Sequence, residues 1–293
     1  MHTGYTLNRL RPPLSEPAAA MSDLPATSAV DPEEPAGGKP RRRTRRWYRR
    51  PMLWLLLVFV FPVVVQAARH ALSATDQPWY AARHDSARLV PEAGRQPEAI
   101  VQAWAARAWG WRGIFGVHTW IAVKPAGAPA WQRLEVIGWR LYRGGSAVSI
   151  TSGVPDAYWY GNRPLLLAEL RGAAAADAIP RLLDAARRYP YADRYRVWPG
   201  PNSNTFIAQL ARAVPELRLA LPATAIGKDY PVDGRWLAPA PSGTGWQLTL
   251  GGLAGLTLAV EEGLEIDLLG LTAGIDPGGP ALKLPGIGRI GPP

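Results

Sequence analysis

Two residues of this chain sit where acyl-transfer chemistry would need them: a histidine inside an apolar strand and a serine at the head of a helix. In the run VHTWIAV, Val117, Thr119, Ile121 and Val123 alternate with His118, Trp120 and Ala122. A period of two predicts a strand with two distinct faces. Ser203 follows a Pro-Gly-Pro turn in the segment NSNTF, and Phe206, Leu210 and Val214 then recur at helical spacing. A helix start offers unpaired backbone N–H groups and the positive end of the helix dipole, the ingredients of an oxyanion site. A histidine on an adjoining strand can act as base to a nucleophile there. Glu135 lies on the expected return strand, Trp131–Trp139. Symmetric pairing about the turn at Pro125–Pro129 would set it opposite Trp120, on the face of His118, where it could orient the imidazole. Asn202 and Asn204 flank the serine as oxyanion or orienting groups. Trp120, Trp159 and Trp198 are expected around the same cleft, able to stack a sugar or peptide ligand.

Each of these residues also has an ordinary structural account. Asn, Ser and Thr at a helix start commonly cap it. A strand histidine is commonly a hydrogen-bonded core residue, and a strand glutamate a solvated one. His70 and His84 lack partners at metal-ligand spacing, so no metal is expected. No glycine loop that could cradle phosphates precedes a helix, so no nucleotide cofactor is expected either. The chain has no cysteine, which excludes disulfides, thiolate–zinc sites and cysteine nucleophiles together.

The elements that must position these residues read as follows. Trp79–Pro91 alternates weakly as a first strand. Pro97 opens a helix with Ile100, Trp104 and Ala108 at four-residue steps, ended by Gly110 and Gly113. The hairpin carrying His118 and Glu135 comes next, with a further strand inside Leu141–Ile150 and an aromatic loop over Val154–Arg163. A second helix spans Asp177–Tyr189 with Asp177 as its cap. A short strand lies in RYRVW, and a third helix runs from Asn202–Asn204 to just before Pro215. From Leu221 onward glycine and proline punctuate short apolar runs, which reads as a β-rich extension over 221–293.

The N-terminal part has a different character. The net charge of +10 includes eight cations between Lys39 and Arg50, with no acidic residue among them. The uncharged run Met52–Ala68 follows, near the lower length limit for a bilayer-spanning helix. Trp47, Tyr48 and Trp54 sit where interfacial aromatics belong. The expected organisation is a disordered tail over 1–40, a basic juxtamembrane segment over 41–51, a transmembrane helix over 52–68 and a folded α+β domain over 75–220 before the extension. Lys/Arg excess marks the cytoplasmic flank, so the N-terminus stays inside and the body faces the periplasm. A cleaved signal peptide is the competing account, since Val65–Ala67 and Leu72–Ala74 both resemble small-residue cleavage sites. Thr44-Arg45-Arg46 hints at twin-arginine export, but Arg49 stands where an apolar residue belongs. The remaining positive charge is spread over the body without a basic stripe, which argues against nucleic acid.

A helix, a strand with histidine, a hairpin and a helix opening Asn-x-Asn resemble the permuted papain-like proteins of the NlpC/P60 class. That resemblance rests on His118 and NSNTF and covers roughly 100–215. It implies an α+β core of antiparallel strands with packed helices, with the histidine preceding the nucleophile in the chain. It departs at the nucleophile, where those enzymes carry cysteine and this chain carries Ser203. The segments ARAWGWRGIFGVHTWIAVKPAG, RYPYADRYRVWPGPNSNTF, PATAIGKDYPVDG and ALKLPGIGRIG resemble an uncharacterised bacterial family, catalogued as domain of unknown function 3750. It implies a bacterial origin and a single N-terminal hydrophobic segment, and it supplies no activity.

Two functions therefore stay open. One is a membrane-anchored protein of the cell envelope whose non-catalytic papain-like domain binds a glycan, peptide or lipid. The other is a serine-dependent amide or ester hydrolase using Ser203 and His118. The missing thiol favours the binder, because a serine needs stronger base activation.

Overall fold

The computed structural model describes residues 49–73, 78–231 and 233–292. The expected tail over 1–40 and most of the basic segment lie outside the described residues.

The apolar run forms one long helix: α1 (Arg49–Leu55), a π-helical stretch at Leu56–Val60, and α2 (Phe61–Ser73). Over Arg50–Ser73 it is long and apolar enough to cross a membrane. Pro62 explains the widened stretch. It has no N–H to donate, and its ring crowds the carbonyl four residues back, so the ladder loosens just before it.

The body is α+β. Its first sheet has the order β4-β3-β2-β1-β5 and is antiparallel throughout. The strands are β1 (Ile100–Arg107), β2 (Val117–Lys124), β3 (Gln132–Val136), β4 (Val148–Ser152) and β5 (Leu165–Arg171). Two helices, α3 (Gly172–Arg187) and α4 (Ser203–Ala213), cover one face. Val101, Ala103, Ile121, Val123, Leu134 and Val136 meet Ile179, Leu182, Phe206, Ile207 and Leu210 there in one buried core. The other face buries Ile100, Trp104, Ala106, Trp120, Ala122 and Trp131.

That double coverage corrects one expectation. The helix opened by Pro97 is instead strand β1, paired with β2 on one side and β5 on the other. A central strand buried on both faces is apolar along its whole length and loses its alternation, so it mimics a helical stripe. The expected strand over Trp79–Pro91 is irregular, with a single bridge from Ser86 to Ala157. No strand forms in RYRVW. Strand β5 (Leu165–Arg171) is an edge strand in a stretch for which the sequence predicts no element; it is only half-buried, and its run of three leucines carries no alternation. Helix α3 starts five residues before Asp177, which is therefore not its cap.

The C-terminal part is β-rich as expected. Seven antiparallel strands, β6 (Leu237–Pro239), β7 (Gly245–Leu250), β8 (Ala254–Ala259), β9 (Gly263–Leu268), β10 (Leu271–Asp276), β11 (Ala281–Leu284) and β12 (Gly288–Ile290), form a simple meander in sequence order. Its buried face is polar. Gln247, Thr257, Glu265 and Lys283 line one cross-strand row, and Thr249, Asp267 and Thr272 the next. Lys228 reaches into this face, 2.7 Å from Asp229 Oδ1 and 2.8 Å from Glu265 Oε2, while Lys283 Nζ lies 2.7 Å from Glu265 Oε1. Burial opposes the charge on Lys228, but Asp229, Asp267 and Glu265 together hold its ammonium well above the ordinary lysine range. Burial would likewise raise the Glu265 carboxyl, but the two lysines keep it below its usual value.

Glu265 is thus the anion shared by two buried cations. Glu265→Ala is expected to lower stability by about 3–5 kcal/mol, because it leaves buried Lys283 without a counter-ion and takes from Lys228 one of its carboxylates. Thermal unfolding of the detergent-solubilised full chain would measure this, and a change under 1 kcal/mol, within the range of an ordinary surface substitution, would refute it.

Candidate functional site

The geometry around His118 follows from the two-residue period of β2. Ile121, Val123 and Thr119 point to the helices, so His118, Trp120 and Ala122 point to the opposite face. On β3, Leu134 pairs with Ile121 and Arg133 with Ala122. Continuing that register places Glu135 beside Trp120, on the histidine's face. His118 Nε2 and Glu135 Oε2 are 3.0 Å apart, and Arg133 Nη2 donates to the same oxygen at 2.9 Å. The Arg133 guanidinium lies 4.6 Å from the centre of the Trp120 ring. Trp159 covers the imidazole, stacked with 3.7 Å between ring centres and 12° between planes. Trp139 and Tyr160 extend this aromatic layer towards solvent.

Charge states follow from burial. Burial pushes the His118 imidazole below its ordinary value, and Glu135 only partly offsets this. Burial also acts to raise the Glu135 carboxyl, but the hydrogen bond from His118 and the charge of Arg133 hold it below the usual carboxylate range. The pair is therefore a neutral imidazole donating from Nε2 to an ionised carboxylate. Nδ1 carries the lone pair and has no hydrogen-bond partner among the described residues.

The serine side is built separately. Asn202 caps α4. Its Oδ1 accepts from the backbone N–H of Asn204 at 2.9 Å and of Thr205 at 3.2 Å, and Thr205 Oγ1 accepts from the Asn202 N–H at 3.1 Å. Asn202 Nδ2 donates to the carbonyls of Val197 and Ile226. Gly227 makes room for this amide: a Cβ there would lie 2.3 Å from Asn202 Nδ2, and its φ of +94° suits glycine. Asn204 Nδ2 donates to Val117 O and Ile226 O, and its Oδ1 accepts from Thr119 Oγ1 at 2.9 Å. Both asparagine side chains are thus used in holding α4 to β2 and to the loop at Ile226. Ser203 is buried. Its one bond to another element runs from Thr119 Oγ1 to its carbonyl oxygen at 3.5 Å, and its hydroxyl has no partner among the described residues.

The structure therefore brings together His118, Glu135, Trp120 and Trp159, and brings Ser203 together with Asn202 and Asn204, but joins the two groups by no hydrogen bond. Trp198 makes no ring contact with the histidine's group; its Nε1 donates to Leu269 O at 2.8 Å, in the turn between β9 and β10. Trp120 is buried with its Nε1 bonded to Pro155 O at 2.7 Å. Arg133 escaped sequence reasoning, although its place two residues before Glu135 puts it on the same strand face. A cleft of about 520 Å³ opens on the histidine's face, between Leu89–Pro91 and Arg163–Leu166. Gln102 and Trp104 line it, and Gln102 Oε1 and Trp104 Nε1 are buried without a partner. Among the described residues no cluster of metal-ligating side chains occurs.

Residues 98–230 match a family model described as a protein of unknown function, DUF3750. That span takes in the first sheet, α3, α4 and both residue groups, and leaves out the apolar helix and the second sheet. No curated protein and no solved structure gives a significant match to the chain.

Two outcomes follow. Both groups of the dyad are depressed, so the folded state binds fewer protons than the unfolded one, His118 from about pH 6.5 downward and Glu135 from about pH 4.5 downward; stability is full above that range and falls on acidification through the depressed values. His118→Gln should flatten the stability curve between about pH 5 and 7, read as thermal midpoints; an unchanged slope would assign the dependence to other groups. Asn202→Ala should cost about 2–4 kcal/mol through the lost cap and two stranded carbonyls, whereas Ser203→Ala should cost under about 1 kcal/mol. Chemical denaturation of both variants compares them directly.

Proposed function

We propose that this chain is a membrane-anchored binding protein of the bacterial cell envelope, whose papain-like α+β body is inert at the nucleophile position. The N-terminal helix holds it in the inner membrane with the N-terminus cytoplasmic and the body periplasmic. The observation that carries the reading is the commitment of His118 to Glu135, beneath Trp159, on the sheet face turned away from α4. A serine hydroxyl needs a base within hydrogen-bonding reach to attack an amide or ester. Ser203 has no hydrogen-bonded base among the described residues, and of its flanking asparagines Asn202 is occupied as the cap and Asn204 in bonds to Val117, Ile226 and Thr119.

The ligand site on this reading is the cleft on the histidine's face. Apolar walls with a few unpaired polar groups are the usual makeup of a small-molecule site. Leu89, Val90 and Leu165 supply the walls, Gln102 Oε1 an acceptor and Trp104 Nε1 a donor; of the charged lining residues Glu169 and Arg171 pair with each other, and Arg163 is left as a further cation. That set suits a polar, partly anionic fragment such as a peptidoglycan peptide with its carboxylates, and the nearby aromatic layer suits sugar rings. The Arg133–Glu135–His118 network would keep Trp120 and Trp159 rigid beneath it.

The test titrates soluble peptidoglycan fragments into the full chain in detergent and follows tryptophan fluorescence, with a serine-reactive fluorophosphonate assay alongside. Saturable quenching is expected, weakened about tenfold by Arg163→Ala through loss of one charged contact. No fluorophosphonate labelling is expected that Ser203→Ala removes. Ser203-dependent labelling would replace the binder with the hydrolase, and absence of any saturable response would discard this ligand class.

A further inference from the structure

The seven-stranded sheet is inverted relative to a soluble sheet. Its polar row faces inward, and its outward face is apolar on every described strand from β7 to β12. In register across the sheet, one outward row runs Leu248, Leu256, Ile266 and Ala273, and the next runs Trp246, Leu258, Leu264, Ile275 and Leu282. Leu250, Ala254, Leu268 and Leu271 make a third. No charged side chain interrupts these rows. Leu258 is 66% exposed, Trp246 61% and Ile266 52%. Exposed apolar area on this scale marks an interaction surface, and a uniformly apolar outward face over a polar inward one is the arrangement of lipid-facing β-structure.

The apolar helix supplies the second observation. It does not stand clear of the body. Its Leu56–Val60 stretch packs on strand β10, and α2 packs on the 3₁₀ turn Gly110–Ile114. A Cβ on Gly286, in the turn between β11 and β12, would lie 3.5 Å from both Val63 Cα and Gln66 Cβ. Phe59 and Pro62 are buried by these contacts while Trp54, Phe61 and Val64 stay exposed. Ala273, on the outward face by register, is buried as well. The contact therefore falls near the middle of Arg50–Ser73, the part of a spanning helix that lies deepest in hydrocarbon. Whatever packs against the middle of such a helix shares its depth, and a polar surface there would be strongly unfavourable.

We infer that the outward face of the β7–β12 sheet is seated against the acyl chains of the bilayer, flush with the N-terminal helix. This rests on the membrane-anchor part of the proposed function and deepens it. The sheet lines the membrane without crossing it. Its longest strands have six residues, about 20 Å, whereas a spanning strand needs about 9–11 residues. The lipid side of the protein is thus a helix plus a sheet, and the buried lysine–carboxylate network behind the sheet is shielded from that side by the apolar layer.

The absence of cysteine makes the test direct. Single substitutions Val64→Cys on the helix, Leu258→Cys and Ile266→Cys on the sheet, and Tyr142→Cys as a remote exposed control each receive an environment-sensitive fluorophore. The full chain is then placed in phospholipid nanodiscs with or without acyl-chain spin-labelled lipid. Blue-shifted emission and comparable quenching at Val64, Leu258 and Ile266, with neither at Tyr142, is the expected result. Quenching at Val64 alone would overturn the sheet inference and leave the anchor standing. Blue-shifted but unquenched emission at Leu258 and Ile266 would mean that another protein copy or partner covers the face, and would also overturn it. No quenching at any position would remove the anchor and the inference together.

Discussion

The alternation of strand β2 is the constraint on which the arrangement of this protein depends. An extended backbone sends successive side chains to opposite sides, without exception over a regular strand. With Ile121 and Val123 committed to the core beneath α3 and α4, His118 and Trp120 must face away from those helices. Glu135 and Arg133 follow them by pairing register, and the loop bearing Trp159 closes over the result. Thr119, of the other parity, is the residue that reaches α4 through Asn204. A serine at the head of α4 and a histidine on β2 are thus near neighbours in topology but belong to different layers.

Burial then fixes the chemistry on each side. On the histidine's side, a shared carboxylate takes hydrogen bonds from an imidazole and a guanidinium, so the charge of Glu135 is compensated and His118 stays neutral. On the serine's side, two asparagines satisfy the helix start and the carbonyls of Val197, Val117 and Ile226. A helix N-terminus whose free amides are already capped is a structural joint and not an open anion site. The same logic runs through the second sheet, where Lys228, Lys283, Asp229 and Glu265 compensate one another in the interior. There the polar groups are taken inside, and the apolar ones are left outside beside the membrane-type helix.

The parts of this fold that could be read in the chain are those with a strong local signature. The apolar run after Lys39–Arg50 read as a membrane-type helix because length and composition suffice for that inference. The hairpin register that brings Glu135 to His118 followed from one short turn. Asn202-Ser203-Asn204-Thr205 read as a helix start because capping is a property of the adjacent backbone. Strand β1 is not legible, because its residues are buried from both sides; β5, a half-exposed edge strand, opens on three leucines and so lacks alternation as well. The pattern that separates strand from helix is produced by one-sided burial and vanishes without it.

By itself, then, the sequence determined the membrane-type helix, the His118 hairpin, the cap of α4, the β-rich character of the last seventy residues and the exclusion of cysteine chemistry. These depend on neighbours in the chain. Tertiary structure alone decided which layer each chemical group enters, that Arg133 joins the dyad, that the Ser203 hydroxyl has no hydrogen-bond partner among the described residues, and that the last sheet turns its leucines outward. Those outcomes depend on which surfaces cover which faces, and a one-residue parity or one covering helix is enough to change them.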